Sequence, residues 1–320
     1  MRSNLVSAGL VRTAALALAL AGSACATAVA PAPAHALAPA PVHADAPPIE
    51  VCWIETANAD ASGELATEGR TELQRWHATA SALLVRHPAG DILVDAGTTP
   101  TLRDDTRELK PGARIYSRAS AGRMQWRGDI PAQLRTLGVD PGALRHIVLS
   151  HVHPDHAGGV EMLPGVPVLV GRGEIDFVHD KLAARDHHVL PRQGRALQDR
   201  MVPVDLDPIP YATFDESADL FGDGRVVLVP LFGHTPGSLG TFVDLGDGRR
   251  LFHVGDVVLV QESVERSVVK GKLMQPTDVD KPRNAVNVAR LAQLHALDPE
   301  LEIVPAHDRD VWRRVFGETS

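Results

Sequence analysis

The chain has 320 residues, 44% apolar and 22% charged, enough to bury one large core or two small ones. Its 40 acidic against 32 basic side chains give a formal net charge of -8, the wrong sign for gripping a phosphate backbone, which excludes nucleic acid as a partner. Cys25 and Cys52 are the only cysteines, so no disulfide framework carries the fold.

In chain order, residues 1–30 read as a secretory signal peptide. Arg2 and Arg12 flank a short polar start, an Ala/Leu run covers 13–21, and small-x-small sequences such as Ala24-Cys25-Ala26 and Ala28-Val29-Ala30 offer cleavage sites. The mature protein is then periplasmic or secreted, with no membrane span; a lipid anchor on Cys25, after Gly22-Ser23-Ala24, is the alternative. Cleavage removes two arginines and no acid, which deepens the acidity and leaves Cys52 as a lone thiol. Residues 31–48 are Ala/Pro-rich and form an extended tether. The folded domain is expected over 49–320.

Apolar runs of strand length recur at 49–54, 81–85, 91–94, 146–149, 166–170, 226–231, 251–254 and 302–304. Helical spacing appears over 127–137, through Ile130, Leu134 and Leu137, and over an Ala/Leu-rich stretch from Pro282 to about residue 297. The mixture indicates an α/β protein, and the lack of a short fixed period excludes a solenoid or propeller. Five polar residues each follow an apolar run: Asp95, His151, His234, Asp256 and His307. Strand ends along one rim of a sheet are where α/β proteins gather their chemistry, so five segments point to one site.

The run His151-Val152-His153-Pro154-Asp155-His156 concentrates metal-binding side chains. In an extended or turning segment residues two apart share a side, so His151 and His153 can reach one ion while Asp155 and His156 reach another. Imidazole and carboxylate without thiolate suit Zn²⁺ first, with Fe, Mn or Co acceptable.

The longer run Ser150-His151-Val152-His153-Pro154-Asp155-His156-Ala157-Gly158-Gly159 resembles the signature of the metallo-β-lactamase-fold superfamily. Val94-Asp95-Ala96-Gly97, Gly233-His234-Thr235-Pro236-Gly237-Ser238, Gly255-Asp256 and Pro305-Ala306-His307-Asp308 are similar to its other motifs, in order. The resemblance implies a four-layer αβ/βα sandwich, two mixed sheets face to face with helices outside. It implies two Zn²⁺ per chain: one on His151, His153 and His234, the other on Asp155, His156 and His307, with Asp256 bridging. Asp95 would orient ligands rather than ligate.

Two such ions bring a shared water toward ionisation at neutral pH and polarise a substrate oxygen, so the implied reaction is hydrolysis by a metal-bridging hydroxide, with Asp155 or Asp256 handling the proton. Among branches, the pattern is most similar to the N-acyl homoserine lactonases and organophosphate hydrolases, and it implies opening of a lactone or carboxylic ester, N-acyl homoserine lactone among them. The alternatives are a phosphotriesterase-type hydrolase and a mononuclear iron dioxygenase on the same fold. Leu259 departs from the pattern, since lactonases often carry Tyr there; Tyr116 and Tyr211 are the only tyrosines that could supply the hydroxyl. The specificity element is expected between residues 172 and 224, with Phe177, Tyr211 and Phe214 lining an apolar pocket for a small-molecule substrate and Met124 and Trp126 as further lining. His187 and His188 are candidates to face that pocket, and a homodimer is compatible with the sequence.

Overall fold

Two long strands open the folded part, β1 (Glu50–Ser62) and β2 (Arg75–His87), which pair antiparallel along nearly their whole length. The computed structural model describes residues 38, 43, 46–112, 114, 115, 118, 123–184 and 188–317; the expected signal peptide, most of the tether, Tyr116 and His187 lie outside them. Both strands run well past the apolar stretches that announce them. Beyond Ala57, β1 alternates small with polar side chains, a pattern with little hydrophobic signal, and cross-strand pairing with β2 supplies the hydrogen bonds that keep it extended.

Strands β3 (Gly90–Val94), β4 (Gln125–Trp126), β5 (His146–Val148), β6 (Val168–Gly171) and β7 (Met201–Val204) complete a seven-stranded sheet in the order β4-β1-β2-β3-β5-β6-β7. It is mixed, antiparallel through β1, β2 and β3 and parallel from β3 to β7. A second mixed sheet, ordered β12-β11-β10-β9-β8, joins β8 (Ala218–Asp219), β9 (Val226–Pro230), β10 (Leu239–Asp244), β11 (Arg250–His253) and β12 (Leu301–Val304).

Neighbouring residues of one strand go to opposite cores. Leu83, Val85, Ile92 and Val94 pack between the sheets against Val226, Leu228, Val243 and Leu251, while Leu84, Leu93 and Ile147 face the outer helices Ile130–Thr136, Arg172–Ala184 and Pro191–Gln198 through Ile130, Leu134, Val178 and Leu197. Behind the second sheet, Val227, Val229, Phe242 and Phe252 pack on Val288, Leu291 and Leu294 of the helix Lys281–Leu297. Strands covered on both faces read as unbroken apolar runs rather than alternation, and the result is the four-layer sandwich. That last helix begins as its sequence suggests: Asp280 caps it by accepting from the Arg283 N–H, with Pro282 in the first turn.

Strand β10 has no counterpart among the expected runs, because Gly240, Thr241 and Asp244 interrupt its apolar signal. Gly240 is there for room: a β-carbon would sit 2.6 Å from the Phe252 ring. Among the described residues no helix is long and apolar enough to cross a membrane.

Candidate metal centre

The site is assembled where β3, β5, β9, β11 and β12 run out. Beyond β3, Asp95 takes a left-handed backbone (φ 57°) and its N–H still donates to the Val148 carbonyl of β5. Its carboxylate accepts from the Ser150 N–H at 2.7 Å and the Ser150 hydroxyl at 2.9 Å, which fixes the start of the ligand run. The short helix Pro154–Ala157 follows, so His151 and His153 lie before it and Asp155 and His156 in its single turn. The glycines after it permit close approach: a β-carbon on Gly159 would collide with the Ala96 carbonyl beside Asp95.

All seven expected ligands converge. Ligand atoms of His151, His153 and His234 lie within 4.8 Å of one another, as do those of His151, His156 and Asp256, and those of Asp155, His156 and His307. Nδ1 of His153 is 3.0 Å from Nε2 of both His151 and His234. Asp256 stands between the two halves. One carboxylate oxygen is 3.5 Å from His234 Nε2, and the other is 3.3 Å from His156 Nε2 and 3.1 Å from His307 Nε2. Asp155 closes the second half, with one oxygen 3.5 Å from His307 Nε2. Donors around a tetrahedral Zn²⁺ with bonds of about 2.0–2.1 Å stand roughly 3.3 Å apart, so these separations suit the binding of a divalent cation, with Asp256 in reach of both donor groups. Nitrogen and carboxylate donors without sulfur fit zinc or another borderline divalent ion.

Four of the five histidine rings are held by the far nitrogen; His153 instead turns Nδ1 to the centre, and its buried Nε2 makes no hydrogen bond. His151 Nδ1–H donates to the Ser150 hydroxyl (3.1 Å), His156 Nδ1–H to Asp95 (2.8 Å), His307 Nδ1–H to the Thr79 carbonyl (2.6 Å), and His234 Nδ1–H to Asp278 (2.8 Å). These bonds set the tautomer and leave four Nε2 lone pairs aimed at the centre. Burial, followed by repulsion from neighbouring imidazoles, holds His151 and His153 well below the usual histidine range, and burial with the nearby Lys270 ammonium lowers His234. His156 and His307 go the other way. Burial opposes their charge, but Asp256, helped by Asp95 at His156 and Asp155 at His307, lifts both. Asp256 is correspondingly held well below the carboxylate range by His307 and His156 in spite of its burial.

A cleft of about 400 Å³ opens onto this cluster at His153, Asp155, His234, Asp256 and His307. Its walls are mostly apolar: Ala57, Ala59 and Ala61 of β1, Ala78 and Ala80 of β2, Trp76, and Leu273 with Met274 opposite. Met124 and His188 line it as expected. The aromatic lining does not. Phe177 packs in the outer core beneath the first sheet, Tyr211 and Phe214 lie in the core behind the second sheet, and Trp126 is an edge residue of β4, 38% exposed and paired with Ala57. Apolar rings on amphipathic segments went to the core, where burial of their full area is most favourable. The walls come instead from small side chains whose sequence carries no pocket signal. Leu259 is buried with Ala66, Trp76 and Val260, and no tyrosine among the described residues lines the cleft.

Three polar residues that support the centre had no motif around them. Asp278 and Lys270 back His234. Glu174, fully buried, accepts from the Val152 and Gly237 N–H groups and so ties the two ligand loops together; burial pushes its carboxyl up to about 7. Each stands far in sequence from its ligand, joined only by folding.

A family model described as the metallo-beta-lactamase superfamily matches residues 77–307. N-acyl homoserine lactonase AttM of Rhizobium radiobacter is 26% identical over 231 residues, covering 72% of this chain and 81% of the lactonase. A probable metallo-hydrolase of Mycobacterium tuberculosis is 31% identical over 187 residues, 57% of this chain and 60% of its own length. Among solved structures, a Bacillus thuringiensis AiiA variant with N-decanoyl-L-homoserine bound superposes with a TM-score of 0.61 at 18% identity, covering 85% of this chain and 99% of AiiA, a likeness of fold. With its two mixed sheets, its converging histidines and aspartates and this match, the chain belongs to the metallo-beta-lactamase superfamily and is one of its hydrolases.

Proposed function

We propose that the protein is a dinuclear zinc hydrolase that opens a lactone, N-acyl homoserine lactone among them, or cleaves a carboxylic ester with an apolar acyl part. The observation that carries this reading is Asp256, with one oxygen toward each donor set, at the end of a largely apolar cleft. Two divalent ions, when bound there, supply an activated water and polarise the scissile carbonyl. The chain's own residues do the rest. His151, His153 and His234 would hold one ion and Asp155, His156 and His307 the other. Asp155, the more exposed of the two carboxylates at 26% against 10% for Asp256, is placed to receive and return the proton. The alanine face of β1 and β2 excludes water from an acyl chain.

The relatives that are lactonases are named for N-acyl homoserine lactones, which supports the lactone. The apolar walls favour an acyl group, and the buried Leu259 leaves orientation of the substrate to other groups that line the cleft, such as Thr277 and His188. The deciding experiment is a panel of acyl homoserine lactones, aryl esters and aryl phosphotriesters under one metal loading; lactones and esters turn over fastest, and phosphotriesters in first place would reject the assignment. Metal analysis adds a second check. About two Zn²⁺ per chain are expected, falling to about one in Asp256→Ala, and an unchanged single ion in both would point to the mononuclear alternative. We further propose export through the signal at 1–30, tested by N-terminal sequencing of the protein recovered from the periplasm and medium; an intact Met1 there would reject cleavage.

A further inference from the structure

His234 is backed by something the other ligands lack. Its Nδ1, the Nζ of Lys270 and one oxygen of Asp278 form a tight triangle: Lys270 donates to Asp278 at 2.6 Å, His234 lies 2.8 Å from the same oxygen, and Nζ is 2.9 Å from Nδ1. The other oxygen of Asp278 accepts from Asn284 at 3.1 Å. The lysine side chain is 0% exposed and that of Asp278 only 4%. Among the described residues, His151 and His307 rest on a neutral hydroxyl and a carbonyl, and His156 on Asp95; the ammonium is peculiar to His234. A buried ammonium costs several kcal/mol in desolvation, and hydrophobic packing would fill its place more cheaply, so its presence calls for a use.

The same pair also closes a loop. Lys270 and Asp278 are the two ends of the segment 270–278, whose Leu273, Met274 and Thr277 form one wall of the cleft. Inside it, the Met274 and Gln275 N–H groups donate to the Gly271 carbonyl, and the Gln275 side chain donates to the Lys270 carbonyl. Just past it, the Val279 and Asp280 N–H groups donate to the carbonyls of His234 and Gly233. The wall and the ligand therefore share one anchor.

We propose that the buried Lys270–Asp278 pair is a positioning device that pins His234 in its ligating orientation and, through the same contact, sets the cleft wall formed by Leu273, Met274 and Thr277. The inference rests on the reading of the histidine cluster as a metal centre. Lys270 occupies one side of the Asp278 oxygen and Asn284 holds the other oxygen, so the carboxylate has a single rotamer, the one aimed at His234. Without Lys270 the carboxylate gains freedom, and both the ring plane and the base of the loop loosen.

Two readouts test this, and the first needs no substrate. In Zn²⁺ competition against a chromophoric chelator, Lys270→Met lowers affinity for one ion about 10- to 100-fold, the usual effect of losing a ligand's supporting contact, and shifts the visible absorption of the Co²⁺-loaded protein. Lys270→Met with Asp278→Asn removes both charges, leaves no buried ion unpaired and keeps the experiment interpretable should the single variant not fold; the same loss is expected. Wild-type Zn²⁺ affinity and Co²⁺ spectrum in either folded variant overturn the proposal. The second readout uses Zn²⁺-saturated enzyme. Lys270→Met raises KM for a long-chain ester several-fold more than for an acetyl ester, whereas Leu273→Ala raises that KM without touching Zn²⁺ affinity. Equal KM changes on both esters would remove the link to the wall. A preparation that binds two Zn²⁺ with the expected dependence on Lys270 yet hydrolyses neither ester nor lactone would reject the proposed substrate and leave the positioning role standing.

Discussion

At the scale of single residues, the two halves of the centre differ in what they carry before a cation arrives. His151, His153 and His234 are held neutral by burial and crowding and present lone pairs. Against the opposing effect of burial, Asp256 lifts His156 and His307, so these two hold a proton more readily than the other three. Zn²⁺ uptake is therefore expected to release more protons in the wild type than in His156→Gln. Calorimetry in buffers of different ionisation enthalpy measures it, and an unchanged release would remove this picture of the site. Asp95→Asn takes the ionic partner from His156 and weakens the hold on Ser150. A drop of roughly 10- to 100-fold in Zn²⁺ affinity is expected; affinity within twofold of wild type would contradict the orienting role. The order of Asp95, the histidines and Asp256 was legible because each stands directly after a strand-forming run. Asp278 and Lys270 were not, since a single acidic or basic residue in a polar loop carries no sign of which ring it will meet.

At the scale of elements, the helix Arg172–Ala184 reaches the site through Glu174. Its folded-state carboxyl, at about 7, lies above the ordinary 4.5. The folded chain thus keeps a proton that the unfolded chain releases, so the contribution to stability is full below pH 4.5 and is lost as pH rises toward 7, by something on the order of 3 kcal/mol. Glu174→Gln is expected to flatten that part of the stability profile. Urea unfolding at pH 5 and 7.5 tests it, and an identical slope in both proteins would show that Glu174 is ionised throughout. Glu174→Ala strands the buried N–H groups of Val152 and Gly237, at about 1–3 kcal/mol each, and a lowered melting temperature follows. In the second sheet, Gly240→Val drives new methyl groups into the Phe252 ring and Leu231; thermal unfolding should show a loss of about 1–3 kcal/mol, and no loss would mean that the stacked Phe242 and Phe252 rings can shift.

At the scale of the molecule, the metal centre doubles as a fastener. Its ligands come from segments between His151 and His307 and bridge both sheets, so ions bound only by the folded state stabilise it by mass action. Stripping with a chelator should lower the melting temperature by several degrees and Zn²⁺ should restore it; equal melting curves with and without metal would show that packing alone holds the rim. The tether contributes contacts as well: the Ala38 N–H donates to the Ala212 carbonyl and the His43 N–H to Asp244. Removing residues 1–48 is expected to leave Zn²⁺ affinity unchanged, because these contacts lie on residues outside the cleft.

The apolar strand runs and the polar residues that follow them were readable from the chain, because both depend on local order: buried strands must be apolar on both faces, and a ligand must follow its strand closely to be held rigidly. The layered sandwich and the division of seven ligands between two ions were what the family resemblance implied. The cleft was not readable. Its walls are alanines spaced along two paired strands and a loop about two hundred residues away, and an alanine carries the same signal in a core, on a surface or beside a substrate. The aromatic side chains expected there found larger areas to bury inside, so only the packing of the whole chain decided which residues would face the ligand.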